Sequence, residues 1–219
     1  MAGLDHTLKR GTHLSRDEGL CTLELVALLG GEEHTDQPAC CCSALMSFVS
    51  RWNDDLRDSE RQLLVAIAPM LVGSEGGPEL AARRAHRTVD WLVTDLAPSF
   101  VELAGREGAD WLPSPKEPSK SGAISQISAR INTMTAQIHK HHPERIVGAT
   151  EAIRRCGVHA ARADIPELDD RQPQTDDLAS AAIGLCSAAA NTPGADLEAH
   201  VLERRSVALS LIQELVGMS

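Results

Sequence analysis

Residues 123–138 read AISQISARINTMTAQI, and within them Ile124, Ile127, Ile131, Met134 and Ile138 recur at alternating intervals of three and four. That spacing lines five apolar side chains along one narrow stripe of a helix, the seam of a coiled-coil-like packing. A stripe this apolar is not left in water, so it predicts a second helix against it, in the same chain or in a partner. The composition around it agrees. The 219 residues hold 29 Ala and 26 Leu against 2 Phe, 3 Trp and no Tyr, so the aromatic and β-branched residues that favour sheets are scarce. The expectation is an all-α protein, a helical bundle of about eight helices in two helical halves.

Toward the C-terminus from the seam, His142-Pro143-Glu144 has the form of a helix start, with Ile146, Ala149, Ile153 and Cys156 as its inner face. Thr175 can cap an Ala-rich helix through Leu178, Ala182, Leu185 and Ala189, and a last helix runs from about Asp196 to Val216. Four helices joined this way make residues 122–219 an up-down bundle. Toward the N-terminus, Pro113, Pro115 and Pro118 mark 113–121 as a linker. Residues 1–112 then form an N-terminal helical unit. Its first helix is read from Asp17 to Gly31. The second opens at Pro38, with Leu45, Phe48, Val49, Trp52 and Leu56 inward, and the third runs from Asp58 or Ser59 through Leu63, Leu64, Ile67 and Leu71. The fourth follows Pro78 and ends near Pro98. Residues 1–113 carry 10 basic and 18 acidic side chains and the remainder 11 and 13, an asymmetry that supports two units.

The net charge of −10 argues against a nonspecific nucleic-acid binder, whose affinity comes from concentrated Lys and Arg. No run of about 18 apolar residues and no apolar h-region near Met1 is found, so neither a membrane span nor a signal peptide is indicated. The location this predicts is cytoplasmic.

Glu24 in an apolar helix, Gly31-Glu32, Asp36-x-Pro38-x-Cys40, Trp52-Asn53-Asp54, Pro69 through Leu71-Val72-Gly73, and Asp90-Trp91-Leu92-Val93 span about seventy residues of the first half. On these motifs the chain resembles a family of helical proteins common in actinobacterial genomes. It departs at Gln37, where a histidine is usual, and in its run of three cysteines. The resemblance implies an all-helical protein with a distinguishing loop from Glu32 to Cys40, and it implies no activity or cofactor.

Several groups carry potential chemistry. Asp54-Asp55-Leu56-Arg57-Asp58 spells the DDxxD pattern that holds magnesium diphosphate in prenyl and terpene synthases, since carboxylates at i, i+1 and i+4 can converge. Five aromatics are too few to line a carbocation pocket, however, and Asp58 suits a helix cap better. His34, Cys40, Cys41 and Cys42, beside Glu32, Glu33 and Asp36, offer metal ligands. Successive helical residues point about 100° apart, so three adjacent cysteines cannot all face one ion, and Cys21, Cys156 or Cys186 would have to complete the set. Buried small hydrophobes are the simpler reading. His139, His141 and His142 fall at a helix junction and read as a solvated turn. Glu24, flanked by Leu20, Ala27 and Leu28, is either a buried carboxylate with a raised pKa or part of a solvated edge formed with positions 17 and 31 at heptad spacing. The heptad alignment favours the edge.

No complete nucleotide-binding, hydrolase, metalloprotease or di-iron motif occurs. The function expected is therefore a helical binding or regulatory module working through protein contacts or homo-oligomerisation, with the seam Ile124, Ile127, Ile131, Met134 and Ile138 as the surface. The rival is a small enzyme or thiol- or metal-dependent protein built on the loop from Glu32 to Cys42. In it Cys40 is the reactive thiol, activated near the start of the second helix, with His34 as base and Asp36 as orienter or cap.

Overall fold

The computed structural model describes residues 7–105, 121–141, 151–163, 172–190 and 197–219. They form an all-α bundle, and among them the sole β-type pairing is an isolated parallel bridge between Leu8 and Leu20. Helix α1 spans Thr22–Leu29 and α2 Ser43–Asp55. Short α3 (Asp58–Arg61), a 3-10 turn (Gln62–Ala66) and α4 (Ala68–Leu71) follow. Helix α5 (Gly77–Trp91) runs through a π-turn (Leu92–Leu96) into α6 (Ala97–Leu103). The remaining helices are α7 (Ser121–His141), α8 (Glu151–Ala161), α9 (Gln172–Ala190) and α10 (Leu197–Gly217).

Several boundaries differ from the sequence reading, each for a local reason. Helix α1 starts at Thr22 rather than near Asp17, because Cys21 and Glu24 form a capping box: the Cys21 Sγ accepts from Glu24 N at 3.5 Å and the Glu24 carboxylate accepts from Cys21 N at 2.6 Å. A thiol here takes the part usually played by a Ser or Thr hydroxyl. Pro38 does not open α2, which begins five residues later with Cys42 as its N-cap. Pro69 starts α4 instead of interrupting a longer helix, and Leu63 lies half exposed on the 3-10 turn while Leu64, Ile67 and Leu71 are buried. Pro98 does not end the fourth helix. The π-turn widens the backbone just before it, with Ala97 N donating to Leu92 O five residues back, and Pro98 follows as the second residue of α6 without ending the helical run. Helix α9 begins at Gln172, ahead of the Thr175 expected to cap it.

Buried side chains from both halves of the sequence form one continuous core. Helix α2 packs along α8, α7 along α9, and α6 against α9. Trp52 meets Phe48 edge-on at 5.8 Å, and Phe48 meets Trp91 at 6.3 Å, a geometry aromatic rings prefer. Gly157 lets α8 approach the π-turn: a Cβ there would lie 2.5 Å from a Leu92 methyl. In the seam, Ile131, Met134 and Ile138 are buried and Ile127 is half-buried. These three residues therefore belong to this chain's own core, where α7 lies on α9. The Ile124 side chain, the His139, His141 and His142 side chains, the helix start at His142-Pro143 and the linker apart from Ser121 fall outside the described residues.

Candidate functional site

Glu24 is 1% exposed, so it is not the solvated edge that its heptad spacing suggested. The capping box folds its side chain back over the start of α1, where its oxygens meet a convergent set of donors. Oε1 accepts from His13 N at 2.6 Å, and Oε2 accepts from Cys21 N at 2.6 Å and from His13 Nδ1 at 2.8 Å. Burial alone would push this carboxyl's pKa up, but the hydrogen bonds from His13 N, Cys21 N and the His13 ring outweigh it, and the pKa is lowered. The group is thus an ionised acceptor, not the proton-holding acid that a raised pKa would make. An ionised carboxylate only accepts, so the proton shared with His13 sits on Nδ1. His34 closes the cluster: its Nε2 donates to the His13 carbonyl at 2.8 Å and lies 3.7 Å from Glu24 Oε1.

The loop of residues 8–14, which contains His13, is held at almost every residue. Gln62 binds Leu8 twice, through Leu8 N to Oε1 at 2.9 Å and Nε2 to Leu8 O at 3.0 Å. Lys9 N donates to Leu20 O at 2.8 Å, and Asn53 Nδ2 donates to Lys9 O at 3.0 Å. Asn53 is itself fixed, its Oδ1 accepting from Thr22 N and Oγ1. Gly11 N donates to Asp54 Oδ1 at 2.9 Å, the Thr12 hydroxyl to Asp36 Oδ2 at 2.9 Å, and Leu14 N to Glu18 Oε2 at 3.1 Å. Gly19, at φ +144°, allows the crossing beneath: a Cβ there would lie 2.6 Å from the Lys9 stem and 3.2 Å from the His13 ring. Glu24, Asp36, Asn53 and Asp54 are therefore anchors of one segment, residues 8–14. His13, Thr22 and Gln62 were not singled out in the sequence, and nothing in the unpatterned run 7–19 marks His13 there. Asn53 and Asp54 were visible only as part of a motif.

The thiol arrangement is not assembled. Cys40 precedes α2 instead of occupying its first turn, so the dipole argument for a lowered pKa does not apply. Its thiol pKa is raised, first by burial and then by its hydrogen bond to Glu32. Glu32 accepts from Ala39 N and Cys40 N, both at 2.8 Å, which shapes the turn into α2. Asp36 serves Thr12, His34 serves His13, and among the described residues no hydrogen bond joins His34, Asp36 and Cys40 to one another. Cys41 and Cys42 are buried, and burial pushes the Cys41 thiol up to about 12. Alkylation at neutral pH is accordingly expected to be slow at Cys40. Glu32→Gln should speed it several-fold by removing the adjacent carboxylate. Peptide mass after timed labelling reads this, and a variant no faster than the parent would refute the assignment.

The DDxxD carboxylates diverge. Asp54 holds Gly11 N, Asp55 pairs with Arg51 at 2.9 Å, and Asp58 pairs with Arg61 at 2.5 Å, so the string does not form a magnesium clamp. Among the described residues no group of three or more His, Cys, Asp and Glu side chains is placed to hold a metal ion, and none of the helices is long and apolar enough to cross a membrane. Cys40, Cys41, Cys42 and His34 thus do not converge as ligands. No protein-family model, curated protein or solved structure matches the chain.

Proposed function

We propose that the chain is an α-helical binding module acting through protein contacts, and that the loop of residues 8–19 is its contact surface. The observation that carries this reading is Leu14, which is 90% exposed at the end of a segment pinned by Gln62, Asn53, Asp54, Asp36 and Glu24. A large apolar side chain gains nothing from water, and a loop held this firmly presents it without the ordering cost that weakens flexible contacts. Buried polar groups are costly to assemble, and two of them, Glu24 and Asn53, hold this one surface segment. The thiol-enzyme reading has less support, since Cys40, His34 and Asp36 each serve a different partner.

Leu14→Asp tests the reading. The position is exposed, so unfolding free energy should change by less than about 0.5 kcal/mol. A photoreactive residue at position 14 should cross-link a partner protein or a second copy in the producing cell. Sedimentation separates a second copy from a different protein. No specific adduct at 14, together with unchanged mass in solution for Leu14→Asp, would overturn the proposal.

A further inference from the structure

Just past α2 the chain meets α8 and α10 around a cavity of about 210 Å³. Trp52, Leu56, Ile153 and Val201 line it and are all buried, so its apolar wall is fixed by the core. Apolar cavities of roughly 150 Å³ take up benzene; this one has room for such a ring with a small polar substituent. Sites of this kind recur between the helices of bundles.

The charges at the rim select the substituent. Asp55, Arg57, Glu60 and Arg205 complete the lining. Glu60 is paired with Arg205 at 3.0 Å, and Asp55 lies 2.9 Å from Arg51 and 3.8 Å from Arg155. Asp55 and Glu60 are thus each matched by an arginine, in a chain whose net charge is −10. Arg57 is exposed, and among the described residues its guanidinium has no ion pair. We propose that this cavity binds a small apolar monocarboxylate of about benzoate size, its hydrocarbon part against Trp52, Leu56, Ile153 and Val201 and its carboxylate on Arg57. Desolvated apolar contact and one charge-assisted hydrogen bond supply complementary parts of the affinity, and neither fragment alone matches both.

The full chain titrated calorimetrically with benzoate, benzyl alcohol and acetate separates these parts. Benzoate should bind once per chain, with the alcohol and acetate each at least about tenfold weaker. Arg57→Gln, a substitution at an exposed position, should weaken benzoate about tenfold and leave benzyl alcohol unchanged. Val201→Phe, which fills the cavity, should abolish binding of both. Equal affinities for benzoate and the alcohol would mean an apolar void without charge selection, and equal affinities for benzoate and acetate a surface charge effect. Either result overturns the proposal, as do unaltered benzoate binding in Arg57→Gln and no saturable binding below about 10 mM.

Discussion

Arg84→Met is expected to lower the unfolding free energy by about 3 kcal/mol or more. Arg84 is 2% exposed, and among the described residues every hydrogen-bond partner of its guanidinium is a backbone carbonyl. Nε donates to Leu215 O at 2.7 Å, Nη2 to Met218 O at 3.1 Å and Val216 O at 3.4 Å, and Nη1 to Ser74 O. The carbonyls at the C-terminal end of a helix carry the negative end of its dipole and have no intrahelical donors. A buried Arg there needs no carboxylate to balance it, and α10 needs no other cap. Methionine matches much of the packing but takes the guanidinium from the buried carbonyls of Ser74 and Leu215, at about 1–3 kcal/mol for each that water cannot reach, while the part-buried carbonyls of Val216 and Met218 can turn to solvent. Neighbouring Arg87, on the same face, makes a bidentate pair with Glu214 at 2.6 and 2.9 Å. Both of those side chains are substantially exposed, so Arg87→Ala should cost under about 1 kcal/mol. Urea unfolding of the two variants with unchanged slope decides the matter. A loss at Arg84 no larger than that at Arg87 would show that the carbonyls are satisfied by water instead.

That Arg84 is buried could not be read from the sequence, because the pattern of a helix reports which face is apolar and not which cation finds carbonyls. Period carried much of the fold. The stripe Leu45, Phe48, Val49, Trp52 and Leu56 and the seam through Ile131 and Ile138 are buried as their spacing requires. Boundaries were lost where one polar contact outweighs the local signal. Pro38 looks like a helix start, yet Glu32 gathers the N–H groups of Ala39 and Cys40 into a turn and postpones α2 to Ser43. Pro98 looks like a stop, and a π-turn absorbs it. The candidate site was legible as a set of residues and not as a mechanism: Glu24, Asp36, Asn53 and Asp54 stood out, while their common purpose depends on contacts to residues 8–14 that are 11 to 44 positions away. No periodicity connects residues across such distances.

Glu24→Gln is expected to cost about 2–4 kcal/mol near neutral pH and to remove part of the acid sensitivity of the fold. The native carboxylate accepts from His13 N, His13 Nδ1 and Cys21 N, and an amide offers only one oxygen for these three donors. Its NH2 must face at least one N–H, so the substitution leaves a buried donor unpaired and sets another against it. The capping box of α1 and the anchor of the loop are lost together. The pH dependence follows from the lowered folded pKa. Unfolded, the group titrates near its ordinary value of 4.5; folded, it holds its charge to lower pH. Its stabilisation is therefore fully present above about 4.5 and is lost as pH falls through the folded pKa, where protonation takes away an acceptor that His13 N and Cys21 N require. Equilibrium unfolding from pH 7 to 3 should show the parent losing its advantage over Glu24→Gln across that window, with the two curves converging at the acid end. Parallel curves would mean that Glu24 has the same pKa in both states. Hydrogen exchange gives the structural counterpart: protection of the His13 and Cys21 amides should fall in Glu24→Gln before that of α2, whose buried face remains packed on α8.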